Sequence, residues 1–247
     1  ISHRAVFQEA TKKRDQIKHT NKNFAKSINS FLSRLHWRSH FIQKLEDQPS
    51  IEHASFIPVY DQIRDKDEEK LEAWIEGKTG VHFIDACMIY LRNYGWINFR
   101  MRAMLASFAS YNLWLDWRYF APRLAALFTD FEPGIHYSQI QMQSGTTGIN
   151  TIRMYNPYKQ AMDQDPLGKF IKSQIPEVKN FPPAFFHNPP KKSLNVNLFD
   201  NEFQKEIINV KETAQYARKK IFDIRKSQEH KILAKNVYLK HGSRGRN

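Results

Sequence analysis

Two arginines, Arg100 and Arg102, fall at the start of a predicted helix, where the positive end of the helix dipole opposes a cation. Side chains placed there call for compensating carboxylates or an anionic ligand. Further along runs TDFEPGIHYSQIQMQSGTTGINTIRMYNP, from Thr129 to Pro157, crowded with amides and hydroxyls and broken by the glycines of SGTTG. It reads as a loop, and a loop of that length inside a compact domain is usually functional. His36 and His40 stand at i, i+4, a spacing that could turn two imidazoles toward one metal. No Glu lies between them and no third ligand is near, so a surface or polar-core pair is expected and no metal site. The turn EGKTG carries a Gly-Lys-Thr triplet without the upstream glycine of a phosphate-binding loop, and reads as a turn only. Cys87, the one cysteine, excludes an internal disulfide framework and sits on an apolar stripe, as a buried structural thiol would.

The elements that must hold these groups are helical. Trp74 to Arg118 contains four of the five tryptophans and reads as two helices between turns. Ile84, Cys87, Met88 and Leu91 recur at i, i+3, i+4, i+7, and Gly95 follows where a left-handed residue closes a helix. Met101, Met104, Leu105, Phe108, Tyr111, Asn112 and Leu115 keep the rhythm for four further turns. Upstream, residues 1–20 lean helical, and Asn21 to Leu45 form a helix with Phe24, Ile28, Phe31, Leu32, Leu35 and Ile42 as its apolar stripe. Residues 47–66 read as an irregular connection whose aromatics cover the core, and Asp67 to Glu76 as a short acidic helix with a solvated face. Tyr119 to Phe128 makes another amphipathic helix, and a further short one starts at Leu167. Phe181 to Ser193 carries four prolines and reads as an extended linker. Beyond it, Asn201 with Gln204 forms a capping box, and Phe203, Ile207, Val210, Ala214, Ala217, Ile221 and Ile224 step as a heptad seam. That helix, 203–224, either docks on the main domain or pairs with another chain; a run of three heptads favours docking. The end, LKHGSRGRN, is expected to be disordered.

The net charge of +13 points to a polyanionic partner. Residues 191–247 hold 14 Lys/Arg against 6 Asp/Glu, so +8 of that excess lies in the tail. No apolar run approaches the roughly 18 residues of a membrane span, and no signal peptide is evident. Cysteine usage fits a reducing compartment, so a cytoplasmic location, or a nuclear one in a eukaryote, is expected.

Five elements in order, WxEGxTG, DACM, GWxNxRMR, ASF and LDWR, resemble the flavin-binding helical domain of the photolyase/cryptochrome family. The resemblance extends from Ile1 to about Val178. It implies an all-α fold with a partial FAD-binding domain over 1–180, which the proline-rich linker over 181–193 and the basic helical tail over 194–247 follow. It also implies that the family's phosphate-holding loop and antenna domain lie upstream of Ile1. The implied cofactor is FAD. Arg38 matches an arginine near the flavin phosphates, Trp96 belongs to the flavin-site motif, and Asp130 would sit against the ring and pair with Arg102. Glu132 and His136 fall in register with the rest of that acidic motif, His136 standing where the family faces flavin N5 with an Asn. Trp117 matches the middle member of the family's electron-transfer tryptophans, so Trp117 and His136 are the expected catalytic pair. The other two members become Ile140 and Arg64. DNA, damaged or single-stranded, is the implied partner, contacted through Trp37, Arg100 and Arg153. Arg34 replaces a Glu of the cyclobutane-dimer photolyases and speaks against that repair. Blue-light flavin photoreduction for sensing or photorepair is therefore the implied function, uncertain as an enzyme, with a flavin-free helical nucleic-acid-binding module as the alternative.

Overall fold

The computed structural model describes residues 2–189 and 205–242. These residues are helical, with no β-strand among them and one isolated bridge between Asp65 and Leu115, as the all-α expectation requires. The chain divides into two compact units, Ile1–Glu52 with Glu132–Ser138, and His53–Phe131 with Gln139–Asn247.

The first unit is a helical hairpin. Helix α1 (His3–Ile17) is capped by Ser2, whose Oγ accepts from Ala5 N, and α2 (Lys22–Asp47) by Asn21, whose Oδ1 accepts from Phe24 N. The buried face of α2 is formed by Ala25, Ile28, Leu32 and Phe41. Of the predicted stripe, Phe24 and Phe31 are instead half-exposed. At 100° per residue both lie on the same edge, and the buried face has turned from them toward Ala25.

In the second unit, α3 (Glu68–Glu76) begins at the Asp67 cap and buries Leu71, Trp74 and Ile75, so only part of it is the solvated face expected. Trp74 meets Phe120 edge-on at 5.6 Å, joining α3 to α6 (Trp117–Ala125). Helix α4 (His82–Tyr94) buries the whole predicted stripe, including Cys87, whose thiol is held protonated by burial. Each large side chain so enclosed contributes about 1.5–3 kcal/mol.

The predicted four-turn helix from Met101 to Leu115 is shorter. Helix α5 (Phe99–Ser107) passes into a π-helical turn (Phe108–Asn112), and Trp114 takes a left-handed φ of 60°. Leu113 N reaches back five residues to Phe108 O, and Trp114 Nε1 donates to Ile63 O at 2.8 Å. That indole bond and the Asp65–Leu115 bridge win over continued helix. The helix expected over Tyr119–Phe128 starts earlier, because Asp116 accepts from Arg118 N and caps α6 at Trp117.

The largest correction concerns the stretch read as a long loop, since α7 (Pro133–Ser144) is helical. Pro133 occupies the first turn, where its missing N–H costs nothing, and the left-handed Gly145 ends the run. Next come α8 (Pro157–Gln164) and α9 (Lys169–Gln174), the latter starting just after the predicted Leu167, and α10 (Pro183–His187), which breaks the extended linker with one buried turn at Phe186.

Helix α11 (Val210–Lys226) is capped by Asn209, while the predicted capping box Asn201/Gln204 and seam residue Phe203 lie outside the described residues. Ala217 and Ile221 pack into one cluster with Ile57, Tyr60, Tyr111 and Trp114, so the seam docks within the chain. Helix α12 (Gln228–His241) carries regular structure into the segment expected to be disordered, because Ser227 caps it and His230 and His241 are buried.

Candidate functional site

Gly95 sets the geometry on the second unit. It closes α4 at φ 68°, and a Cβ there would stand 2.5 Å from Thr129 Cγ2. Without that Cβ, Thr129 N donates to Gly95 O at 2.9 Å, which delivers Asp130 to α5. Arg102 then donates from Nη1 and Nη2 to the two Asp130 oxygens, each at 3.0 Å, and from Nε to Ile97 O at 2.6 Å. Its guanidinium lies 4.2 Å over the Phe128 ring and 5.9 Å from that of Trp96. The cation at this helix start is thus offset by a carboxylate, as its position demands.

On the first unit a second glycine does similar work. A Cβ on Gly134 would stand 2.9 Å from Ile42 Cα and 3.0 Å from Phe41 O, so the first turn of α7 lies backbone-to-backbone on α2. This places Glu132 Oε2 at 3.1 Å from Arg38 Nη2. His136 N donates to Glu132 O, and the buried imidazole meets the Tyr137 ring edge-on at 5.2 Å. Trp37, half-exposed, packs beside His40 and Phe41. His40 is held below the usual imidazole range, first by burial and then by Lys44, and His36 meets Phe7 edge-on.

Of the residues singled out from sequence, the structure thus brings together Arg102, Asp130 and Trp96 in one unit, and Arg38, Glu132 and His136 in the other. Arg100 and Arg153 are exposed and belong to neither group. Trp117 is buried, with Nε1 donating to Ser55 Oγ at 2.8 Å. Ile140 is buried as well, and so is Arg64.

Sequence reasoning missed the buried polar side chains of α7. Ser138 Oγ, Gln139 Oε1, Gln143 Oε1 and Ser144 Oγ are buried and make no hydrogen bond within the described residues. Buried groups of this kind cost about 1–3 kcal/mol each unless a ligand or water completes them. Read as loop, those positions did not stand out. Gln141 is different, since it accepts from Phe56 N at 2.8 Å and donates to Ala54 O at 3.0 Å, which makes it a structural strut.

Residues 31–230 match the FAD binding domain of DNA photolyase. The chain belongs to this photolyase/cryptochrome family of FAD-binding domains. It is similar to the deoxyribodipyrimidine photo-lyase of Escherichia coli (strain K12), 32% identical over 167 residues, 65% of this chain and 35% of that protein. It is also similar to Cryptochrome-2 of Gallus gallus, 29% identical over 163 residues, 65% of this chain and 28% of that one. An archaeal photolyase from Sulfolobus tokodaii, solved with two FAD molecules, matches at a TM-score of 0.70 and 29% identity, over 85% of this chain and 47% of that chain. A bacterial class III photolyase from Agrobacterium tumefaciens shares the fold at a TM-score of 0.76 and 23% identity, over 92% and 47%. The chain spans about a third of the length of the curated relatives it matches.

FAD is the cofactor of this domain, and the residues present suit it. A heterocycle rimmed by N–H and C=O groups can complete amides and hydroxyls such as those orphaned on α7, and arginines can meet a pyrophosphate.

Proposed function

We propose that this chain is the photochemical FAD domain of a blue-light-responsive protein, with light sensing favoured over cyclobutane-dimer repair. The observation that carries the reading is the Arg102–Asp130 pair, a fixed cation and anion formed by the two residues that the flavin-site motif names. When bound, FAD supplies an acceptor that blue light makes strongly oxidising. In this reading Arg102 and Asp130 hold the charge beside the ring, while the family resemblance assigns Arg38 to the phosphates and His136 to flavin N5. An imidazole carries a ring N–H proton that it can give, where an Asn has none.

Sensing is favoured by Arg34. It is an exposed cation on α2, in register with the carboxylate that accepts from damaged bases in dimer-repairing relatives. Donor facing donor costs about 1–3 kcal/mol per unpaired group. DNA remains the proposed partner, through the exposed Trp37, Arg100 and Arg153 and the basic helices beyond residue 205.

The test is a titration of FAD into the chain, followed by absorption spectra before and after blue light. Saturable binding with light-driven bleaching is expected, together with no repair of a dimer-containing oligonucleotide. His136→Asn should keep FAD bound while removing any pH dependence from the illuminated spectrum. Absence of binding would overturn the flavin reading, and efficient repair would overturn the preference for sensing.

A further inference from the structure

The cluster around α11 holds a buried phenol with a base attached. Tyr60, in the turn Pro58–Gln62, is 1% exposed, and its Oη lies 2.9 Å from Nε2 of His230, itself 4% exposed. The rings meet edge-on at 5.7 Å. The imidazole is held from its own backbone, since His230 N donates to the Ser227 cap of α12 at 3.1 Å. Trp114 and Tyr111 pack in the same cluster as Tyr60.

These aromatics differ in what they can do with a positive charge. The Arg64 guanidinium lies 4.9 Å over the Trp114 ring and 5.6 Å over that of Tyr111. A cation in that position opposes a second positive charge on the indole. Tyr111 is enclosed too, but its hydroxyl makes no hydrogen bond among the described residues. A phenol in a dry core gives up an electron readily only when its proton leaves at the same moment, and Tyr111 has nowhere to send one. Tyr60 has. The charged groups facing the pair, Arg225 of α11 and Arg64, are cationic, the neighbouring Tyr111 is neutral, and burial followed by Arg225 keeps His230 below its usual range. His230 therefore waits as a neutral acceptor.

We propose that Tyr60 and His230 form a redox-active pair in which Tyr60 gives an electron to an oxidised Trp114 while its Oη proton moves to His230 Nε2. The step balances within three side chains. The Trp114 radical cation returns to neutral indole, Tyr60 becomes a neutral phenoxyl radical, and His230 becomes imidazolium. No atom leaves, and no charge is created or lost. Bound FAD, excited by light, would supply the oxidant for Trp114, and in that respect alone the proposal rests on the function given above.

The experiment uses the full chain without flavin. Tris(bipyridine)ruthenium(II) with persulfate serves as external photo-oxidant, and electron paramagnetic resonance reads the tyrosyl radical after a flash. Exposed tyrosines lose their radicals quickly, so the long-lived signal is the one to follow. Wild type and Tyr111→Phe should both show it, and Tyr60→Phe should lose it. His230→Gln, which removes the base, should slow its formation on the order of 10²-fold, the usual worth of a positioned base. Formation in wild type should also slow in D2O. A long-lived signal that survives Tyr60→Phe, a His230→Gln variant at wild-type rate, or a wild type indifferent to D2O would each overturn the proposal. The isotope measurement needs no variant to fold, and failure of FAD to bind leaves all of these readings intact.

Discussion

Arg102 and Asp130 meet fork to fork, Nη1 to Oδ1 and Nη2 to Oδ2, both at 3.0 Å. Their side chains are 25% and 49% exposed, and a pair so open to water contributes about 0–1 kcal/mol to stability. Stability is therefore a weak reason for the pair to be built. Asp130→Asn keeps the shape and removes the charge. Thermal unfolding should show a cost of about 1 kcal/mol or less, while FAD affinity should fall about tenfold, the worth of one charge-assisted hydrogen bond. A large loss of stability with unchanged FAD affinity would make the pair a strut of the fold.

Arg64 poses the opposite case, a guanidinium inside the core. Its Nε donates to Ser110 O at 3.0 Å and Nη2 to Ser144 O at 2.7 Å, tying the π turn to the end of α7. Burial pushes its pKa down, so the charge is held against a desolvation cost of several kcal/mol. Arg64→Lys keeps that cost and loses the planar fork, and should destabilise by about 3 kcal/mol. Arg64→Met leaves two carbonyls unmet but removes the buried charge at similar volume, and should cost at least about 1 kcal/mol less. Urea unfolding of the two variants decides. The reverse ranking would mean that the cation itself is needed.

Periodicity was enough to find α2 and α4 and the buried stripe around Cys87, because one face of each meets the core at 3.6-residue spacing. It failed where a tertiary bond overrode it. Nothing in the residues between Asn112 and Asp116 announces a helix break; Ile63 O, distant in sequence, draws the Trp114 indole out of the helix. In α7 the failure was of another kind. Amides, hydroxyls and Gly134 imitate loop composition, yet the glycine is there for the approach to Phe41 and Ile42. The Arg102–Asp130 pair was legible through a family motif. The Tyr60–His230 contact joins residues 170 apart, and only a folded chain can display it.

The basic helices bear on nucleic-acid binding. Because Ala217 and Ile221 belong to the core, deleting everything beyond Lys191 would remove packing together with charge. Lys219, Lys220, Lys231 and Lys235 are exposed on α11 and α12, and replacing all four by Gln should leave thermal stability within about 1 kcal/mol. If these side chains meet phosphates, the slope of log K against log salt on duplex DNA should shrink by roughly 0.9 for each phosphate no longer neutralised. An unchanged slope would assign these helices to packing alone.

The first turn of α4 sets two titrations against each other. His82 packs against Phe185 and Phe186, with centroids at 6.3 and 5.6 Å, and burial pushes its pKa down from 6.5 to about 4. The unfolded chain therefore takes a proton that folded His82 refuses, and stability is lost as pH falls through that window. The gap corresponds to about 3 kcal/mol. Asp85 accepts from Thr79 N, Thr79 Oγ1 and Gly80 N, yet burial outweighs these bonds and raises its pKa from 3.8 to about 6. There the folded carboxyl takes a proton first, so stability is gained as pH falls from about 6 toward 3.8, again by about 3 kcal/mol. The two contributions nearly cancel in wild type between pH 6 and 4. His82→Gln removes one of them. Relative to wild type, the variant should gain about 3 kcal/mol between pH 6.5 and 4, read from urea midpoints at each pH. Parallel pH profiles for the two proteins would show that His82 takes up its proton freely in the folded state.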